Sequence, residues 1–260
     1  MAKRMLVFDF DDTLYSHACK CVPQSARSAL LRLLTNGEMV VIATGRAPDS
    51  YEFIQKSLDV PLEWVIALNG QLIYHNDELV YETFITLPSI REVYEIARSN
   101  GFACGGFYQG GSLVSQLNER VTDVWTEFGA PLPEVVPDFL ERHALYQAHL
   151  YVTKEEAERL FSRQLQDYVI NWSHPTLMNL ISKETGKSKA IEWLCQKVGI
   201  AVKDTYAFGD GFNDRDMLLF AAHGVAMQNA SPDLKRVAEY VTGMPEEDGI
   251  LHALEHYGIL

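Results

Sequence analysis

The chain has 260 residues, 47% of them hydrophobic, and carries a formal net charge of -13 at pH 7. That length can bury a substantial core, either as one large domain or as a core with a smaller unit inserted. The acidic balance disfavours nucleic acid and anionic membranes as partners, which would demand a basic stripe, and no apolar run approaches the roughly 18 residues of a transmembrane helix.

Met1-Ala2-Lys3-Arg4 followed by apolar residues has the outline of a signal peptide, but Asp9, Asp11 and Asp12 interrupt the apolar region too early. The segment reads as a strand, and the absence of an export signal points to the cytoplasm. A run such as Met5-Leu6-Val7-Phe8 suits a strand buried on both faces of a parallel sheet, where ligand chemistry gathers at the strands' carboxyl ends. Asp9 and Asp11 then sit at such an end, and period-two geometry directs both side chains the same way. Two crowded carboxylates are costly unless one is protonated or a cation lies between them. The bland alternative is a turn in which these aspartates cap the next helix.

The pattern repeats along the chain. Met39 to Thr44 ends in Gly45-Arg46, Trp64 to Leu68 in Asn69-Gly70, Thr205 to Phe208 in Gly209-Asp210-Gly211-Phe212-Asn213-Asp214, and Gly224 to Met227 in Gln228-Asn229-Ala230. With helices expected over Gln24 to Asn36 and Lys187 to Val198, these strands describe an α/β fold, a doubly wound parallel sheet with polar tips along one edge. Between about residues 83 and 182 the texture changes. Phe102 to Tyr108 and Ser112 to Leu117 flank Gln109-Gly110-Gly111 as a hairpin. Leu145 to Thr153, Asp167 to Ser173 and Leu177 to Ser182 read as strands, Ser89 to Asn100 and Lys154 to Gln166 as helices. The segment is expected to be an antiparallel α+β insert, residues 83–182, in a discontinuous core of 1–82 and 183–260. Its crossings, Glu82 to Pro88 and Ser182 to Gly186, are potential hinges.

Asp210 and Asp214 bring to four the carboxylates expected to converge on one edge. A hard divalent cation resolves their repulsion, and magnesium suits carboxylates shared with a substrate phosphate. The spacing lacks the alternating ligands and terminal glutamate of a calcium loop, and no His or Cys cluster favours zinc. Any anionic substrate must find a locally positive site, which gives weight to Arg46, Lys187 and the metal.

Asp9-Phe10-Asp11-Asp12-Thr13, Thr44-Gly45-Arg46, Lys187 in Gly186-Lys187-Ser188-Lys189-Ala190, and Gly209-Asp210-Gly211-Phe212-Asn213-Asp214 resemble the four ordered motifs of the haloacid dehalogenase superfamily of phosphatases. Val225 to Ala230, Ala238 to Thr242 and Glu247-Asp248-Gly249 are similar to its Cof-type branch, which carries a large α/β cap between motifs two and three. The resemblance covers the whole chain, with Asp12 standing where many relatives have glycine and Gln228 where glycine is frequent. It implies a magnesium-dependent phosphatase of small phosphorylated metabolites. Asp9 would be the nucleophile forming an aspartyl-phosphate, and Asp11 the acid/base. The phosphate would be bound by Phe10, Thr44, Gly45, Arg46, Lys187 and Asn213. The metal site would comprise Asp9, Asp11 through its carbonyl, Asp210 and Asp214, the last orienting the others from outside. A phosphohexomutase of the same superfamily shares the nucleophile and acid/base. A non-catalytic phosphate-binding regulator would lack one of Asp9, Asp11, Lys187 or Asp210. An open response-regulator sheet would lack the insert.

Other residues take bland readings. Cys19, Cys21, Cys104 and Cys195 have no paired metal spacing and are few for a disulfide scaffold; Cys19-x-Cys21 could be a redox pair or soft-metal site but reads as an incidental loop pair. Lys189 reads as a solvated helix charge and Asn69-Gly70 as a turn. His17, His143, His149, His174, His223, His252 and His256 are scattered and read as satisfied structural histidines. Tyr108, Tyr151 and Trp172 read first as core.

Overall fold

The computed structural model describes residues 4–85 and 87–260, leaving aside the side chains of 87–89. Met1-Ala2-Lys3 of the signal-like opening and Thr86 of the first expected hinge lie outside the described residues. The chain divides into two compact units, Met1–Tyr81 with Thr185–Leu260, and Glu82–Glu184.

The first unit begins β1 (Met5–Phe8), α1 (Gln24–Thr35), β2 (Met39–Ala43), α2 (Tyr51–Leu58), β3 (Trp64–Ala67), β4 (Leu72–His75), with β5 (Glu78–Glu82) running up to the boundary. The second unit holds α3 (Leu87–Ser99), β6 (Cys104–Tyr108), β7 (Gly111–Val114), α4 (Glu119–Glu127), β8 (Glu134–Val135), α5 (Phe139–Arg142), β9 (Gln147–Leu150), α6 (Lys154–Phe161), β10 (Tyr168–His174) and β11 (Leu177–Ser182). The chain then returns with α7 (Lys187–Val198), β12 (Thr205–Gly209), α8 (Arg215–Phe220), β13 (His223–Ala226), α9 (Pro232–Val237), β14 (Tyr240–Val241) and α10 (Gly249–His256).

The core sheet has the order β14-β13-β12-β1-β2-β3-β4-β5. It is parallel from β14 to β3. At β4 it turns antiparallel, so the expected parallel sheet carries an antiparallel margin that was not anticipated. Strand alternation builds two cores. Leu6, Phe8, Val40, Ile42 and Phe208 pack with α1, α2 and α10 on one face, and Met5, Val7, Val41, Ala43 and Ala207 with α7, α8 and α9 on the other. Helices on both faces explain why these strands are apolar at every position. Because β1 lies between β2 and β12, the loops leaving β1 and β12 diverge to opposite faces and open the crevice in which such folds bind ligands.

The insert sheet, β10-β11-β9-β6-β7-β8, is antiparallel except for the β7–β8 pair. One face packs on α3 and α6, the other in part on Val121, Val124 and Trp125 of α4. Thr153 and Glu156 form a reciprocal capping box that starts α6. That helix stops at Phe161, its last core residue, and Gln164–Asp167 continues as a 3₁₀ turn, shorter than the helix expected to Gln166. Tyr151 is buried as expected and accepts a hydrogen bond from Trp125 Nε1 at 2.8 Å. Trp172 and Tyr108 pack half-buried against the insert core, with Tyr108 also donating to Glu134. The expectation of a satisfied histidine holds only in part at His149. It is buried on β9, its Nε2 lies 3.4 Å from Gln147 Nε2, and its Nδ1 has no partner among the described residues.

Candidate active site

β1 ends at Phe8, and Asp9 is the first residue beyond it, its N–H still donating to Phe208 O at 2.9 Å. Asp9 is only 5% exposed. Its Oδ1 accepts from Lys187 Nζ at 2.5 Å, and the same ammonium reaches Asp214 Oδ1 at 2.6 Å. Lys187 is the first residue of α7, and Asp216 Oδ2 accepts from the Ser188 N–H at 2.9 Å, fixing that helix start. The second oxygen of Asp214 accepts from the amides of Asp210 and Gly211 at 3.0 and 2.8 Å, so Asp214 is spent on lysine and loop. Asp210 Oδ1 accepts from Thr13 Oγ1 at 3.1 Å, and Oδ2 from Asn229 Nδ2 at 3.2 Å.

Only three of the four expected carboxylates converge. Oxygens of Asp9, Asp210 and Asp214 lie within 4.8 Å of one another. The Asp11 carboxylate instead makes a bidentate pair with Arg46, Nε to Oδ2 at 2.8 Å and the terminal nitrogen to Oδ1 at 2.7 Å. Period-two geometry lapses because the strand has ended: Asp12 takes a left-handed φ of 53° and Phe10 O accepts from the amides of Leu14 and Tyr15. Arg46, expected from the sequence to bind the phosphate, lies 4.8 Å from the Phe53 ring centroid and 5.5 Å from that of Phe10. Phe10 itself is fully buried in the core, so its side chain binds no ligand and only its backbone can.

The β2 and β3 tips complete the edge. Thr44 is buried, its Oγ1 accepting from the Arg46 amide at 3.0 Å, which leaves its hydroxyl proton free to donate. A Cβ at Gly45 would stand 3.0 Å from Asn69 Oδ1, and one at Gly70, whose φ is 101°, only 2.1 Å from Gly186 O. The tip of β3 is thus packed on the start of α7. Asn69 is more than a turn residue. It is buried, its N–H donates to Thr44 O at 3.0 Å, and its Oδ1 accepts from Asn213 Nδ2 at 3.0 Å. Asn69, Asn229 and Asp216 are site members that the sequence reading passed over. For Asn69 the signal was present, since Asn69-Gly70 ends a strand whose neighbours all end in motif residues. Lys189 pairs with Glu192 on the surface, as expected.

Burial above all, followed by Asp214, lifts the Asp9 carboxyl well above the ordinary range against the pull of Lys187. Burial, with Asp214 next, raises Asp210 to about 7. Burial alone would push the Lys187 ammonium down; Asp214 and Asp9 outweigh it and hold the pKa above its ordinary value. Three carboxylates face one ammonium, and the surplus negative charge adds to burial in lifting Asp9 and Asp210. The Asp9 and Asp210 oxygens therefore fit a hard divalent cation, which would return both to their ionised forms.

A family model described as haloacid dehalogenase-like hydrolase matches residues 6–254. The Bacillus subtilis (strain 168) protein named "Putative phosphatase YkrA" is 29% identical over 262 residues, covering 100% of each chain. Among solved structures, BT1666 from Bacteroides thetaiotaomicron, described among phosphatases of the haloalkanoate superfamily, is 30% identical with a TM-score of 0.87, covering 100% of this chain and 96% of its own. The subclass IIB sugar phosphatase BT4131 is 29% identical with a TM-score of 0.84, covering 99% and 100%.

Proposed function

The chain belongs to the haloacid dehalogenase-like hydrolases, and from that membership and the three-carboxylate cluster we propose that it hydrolyses small phosphorylated metabolites, such as sugar phosphates or phosphorylated cofactors, through a phosphorylated Asp9. The observation that carries this reading is the buried Lys187 ammonium shared by Asp9 and Asp214 beside Asp210, a site built to receive an anion and a cation together. The sugar phosphatase activity in BT4131's name supports the substrate class.

Among the described residues no hydrogen bond reaches Asp9 Oδ2, and this oxygen attacks phosphorus while the bond to the leaving alcohol breaks. Asp11, entering the reaction in its protonated form, gives that proton to the alcohol and then takes one from the water that cleaves the acyl phosphate. Arg46 holds Asp11 in place from the side. Lys187, the Thr44 hydroxyl, the Phe10 and Gly45 amides and the Asn213 amide group bind the phosphate oxygens. Magnesium, held by Asp9, Asp210 and the Asp11 carbonyl with Asp214 orienting them, would supply Lewis-acid stabilisation of charge on those oxygens. The insert acts as a cap that selects the leaving group, since every motif of the core reads only phosphate.

Phosphate release over a panel of phosphorylated metabolites tests this reading. Release from a subset of the panel, abolished by a chelator and restored by magnesium, is expected. Release from no substrate, or release indifferent to chelation, would overturn it.

A further inference from the structure

Two of the four cysteines are exposed, Cys19 and Cys21, and both belong to the loop that follows Asp11; Cys104 and Cys195 are buried. The loop is a closed turn. Ser16 N–H donates to Cys21 O at 2.9 Å, Cys21 N–H donates back to Ser16 O at 3.3 Å, and Lys20 takes a left-handed φ of 54°. Cys19 Sγ lies 3.6 Å from Cys21 O and 3.9 Å from Ser16 O, so its exposed thiol lies over the closure of the turn.

The other end of this turn is the active site. Tyr15 bridges Asp11, the Asp12 N–H donates to Tyr15 O at 2.7 Å, and the Tyr15 N–H to Phe10 O at 2.7 Å. His17 donates its N–H to Asp12 Oδ1 at 3.0 Å and places its ring 3.0 Å from the same oxygen and 3.6 Å from Asp11 Oδ1. Ser16 Oγ is tied to Glu246 at 2.9 Å. A change of shape between residues 16 and 21 is therefore passed by backbone bonds to Asp11 and Asp12.

We propose that Cys19 and Cys21 form a thiol–disulfide exchange site, oxidised by a low-molecular-weight disulfide, that tightens this turn and lowers turnover. The Cys19 thiolate attacks one sulfur of the disulfide, whose S–S bond breaks to release one thiolate. Cys21 gives up its proton and attacks the Cys19 sulfur, the mixed S–S bond breaks, and the second thiolate leaves and is protonated. Two protein thiols are oxidised and one disulfide is reduced to two thiols. The interaction of the two thiols lowers the pKa of Cys19 and raises that of Cys21, which suits Cys19 as attacker and Cys21 as the resolving thiol. Cysteines two residues apart close a small ring, and strained disulfides are the labile, reversible ones.

The test treats the full-length protein with hydroxyethyl disulfide and then with dithiothreitol. Peptide mapping is expected to show Cys19 joined to Cys21, with the mass of two hydrogens lost, and Cys104 and Cys195 still free. This readout needs no turnover, so it stands or falls apart from the proposed phosphatase activity, on which only the second readout rests. Phosphate release is expected to fall about tenfold and to recover on reduction, since misplacing a catalytic group by 1 Å can cost ~10²-fold. Cys19→Ser and Cys21→Ser should keep the reduced enzyme's turnover and lose its response. Absence of the joined peptide, oxidation first at Cys104 or Cys195, or a Cys19–Cys21 form with undiminished turnover would each overturn the proposal.

Discussion

The core edge and the insert treat buried polar groups in opposite ways. At the core edge, Asp9, Asp210, Asp214 and Lys187 are packed with charges that do not cancel, and burial first, then the Asp214 charge, pushes the Asp9 and Asp210 carboxyls upward. In the insert the buried polar groups mostly close on one another. Trp125 donates to Tyr151, Tyr94 to the Gly105 carbonyl, and Arg120 to Glu156 and to Tyr151 O. An uncancelled set of charges is expensive and marks a place where a ligand completes the balance, whereas a closed set marks scaffolding. The insert's exceptions, Gln147 Oε1 and His149 Nδ1, are neutral groups rather than surplus charge.

The sharpest way to break this contrast is to exchange one atom in each region. Asp9→Asn is nearly isosteric and should cut phosphate release by at least about 10⁴-fold, the scale seen when a covalent nucleophile is lost, with the circular dichroism spectrum unchanged. Tyr151→Phe should leave turnover within a few-fold while costing about 1–3 kcal/mol in a urea titration, because it strands the Trp125 N–H. Equal turnover of Asp9→Asn and wild type would remove the mechanism. Lys187→Met should affect stability as well as rate. It leaves Asp9 and Asp214 buried and unpaired, which costs about 3–5 kcal/mol, and magnesium should recover part of this by mass action. A Lys187→Met protein as stable as wild type without metal would show that the charges are not in surplus.

What the sequence made legible follows the same division. The strands of the core announce themselves because helices cover both faces, so every position is apolar, and α7 begins and ends where the periodicity from Lys187 to Val198 places it. The short β5, Glu78–Glu82, with Leu79 and Val80 exposed and Tyr81 packed against the core, was not anticipated, nor was α4, whose core contacts are Val121, Val124 and Trp125 within a charged segment. In the site, residue types at strand tips were readable, but side-chain direction was not once the strand ended. Asp11 was assigned to the carboxylate cluster by alternation, but β1 ends at Phe8 and the rule does not extend beyond the strand. The Asn69–Asn213 bond joins residues 144 apart in sequence, and no local pattern encodes it.

The smallest expected effect sets the two regions against each other in pH. Asp210 is raised from an ordinary 3.8 to about 7, so the folded form holds a proton that the unfolded chain has lost. Stability from this group is full below pH 3.8 and declines as pH rises to about 7. His149 is lowered from 6.5 to about 3 by burial, so the unfolded chain binds the proton that the folded form refuses. Its contribution is full above pH 6.5 and is lost as pH falls toward 3. Between about pH 4 and 6.5, metal-free protein should therefore loosen its core and tighten its insert as pH rises. Amide hydrogen exchange, corrected for the intrinsic rate, reads this directly: protection of α7 should fall and that of β9 should rise over this window. Asp210→Asn should flatten the first trend and His149→Gln the second. Added magnesium should reverse the slope in the core alone, because the ion binds the ionised carboxylates and competes with the proton there. Parallel trends in α7 and β9, or a magnesium effect of equal size in both, would mean that the surplus charge is not confined to the core edge.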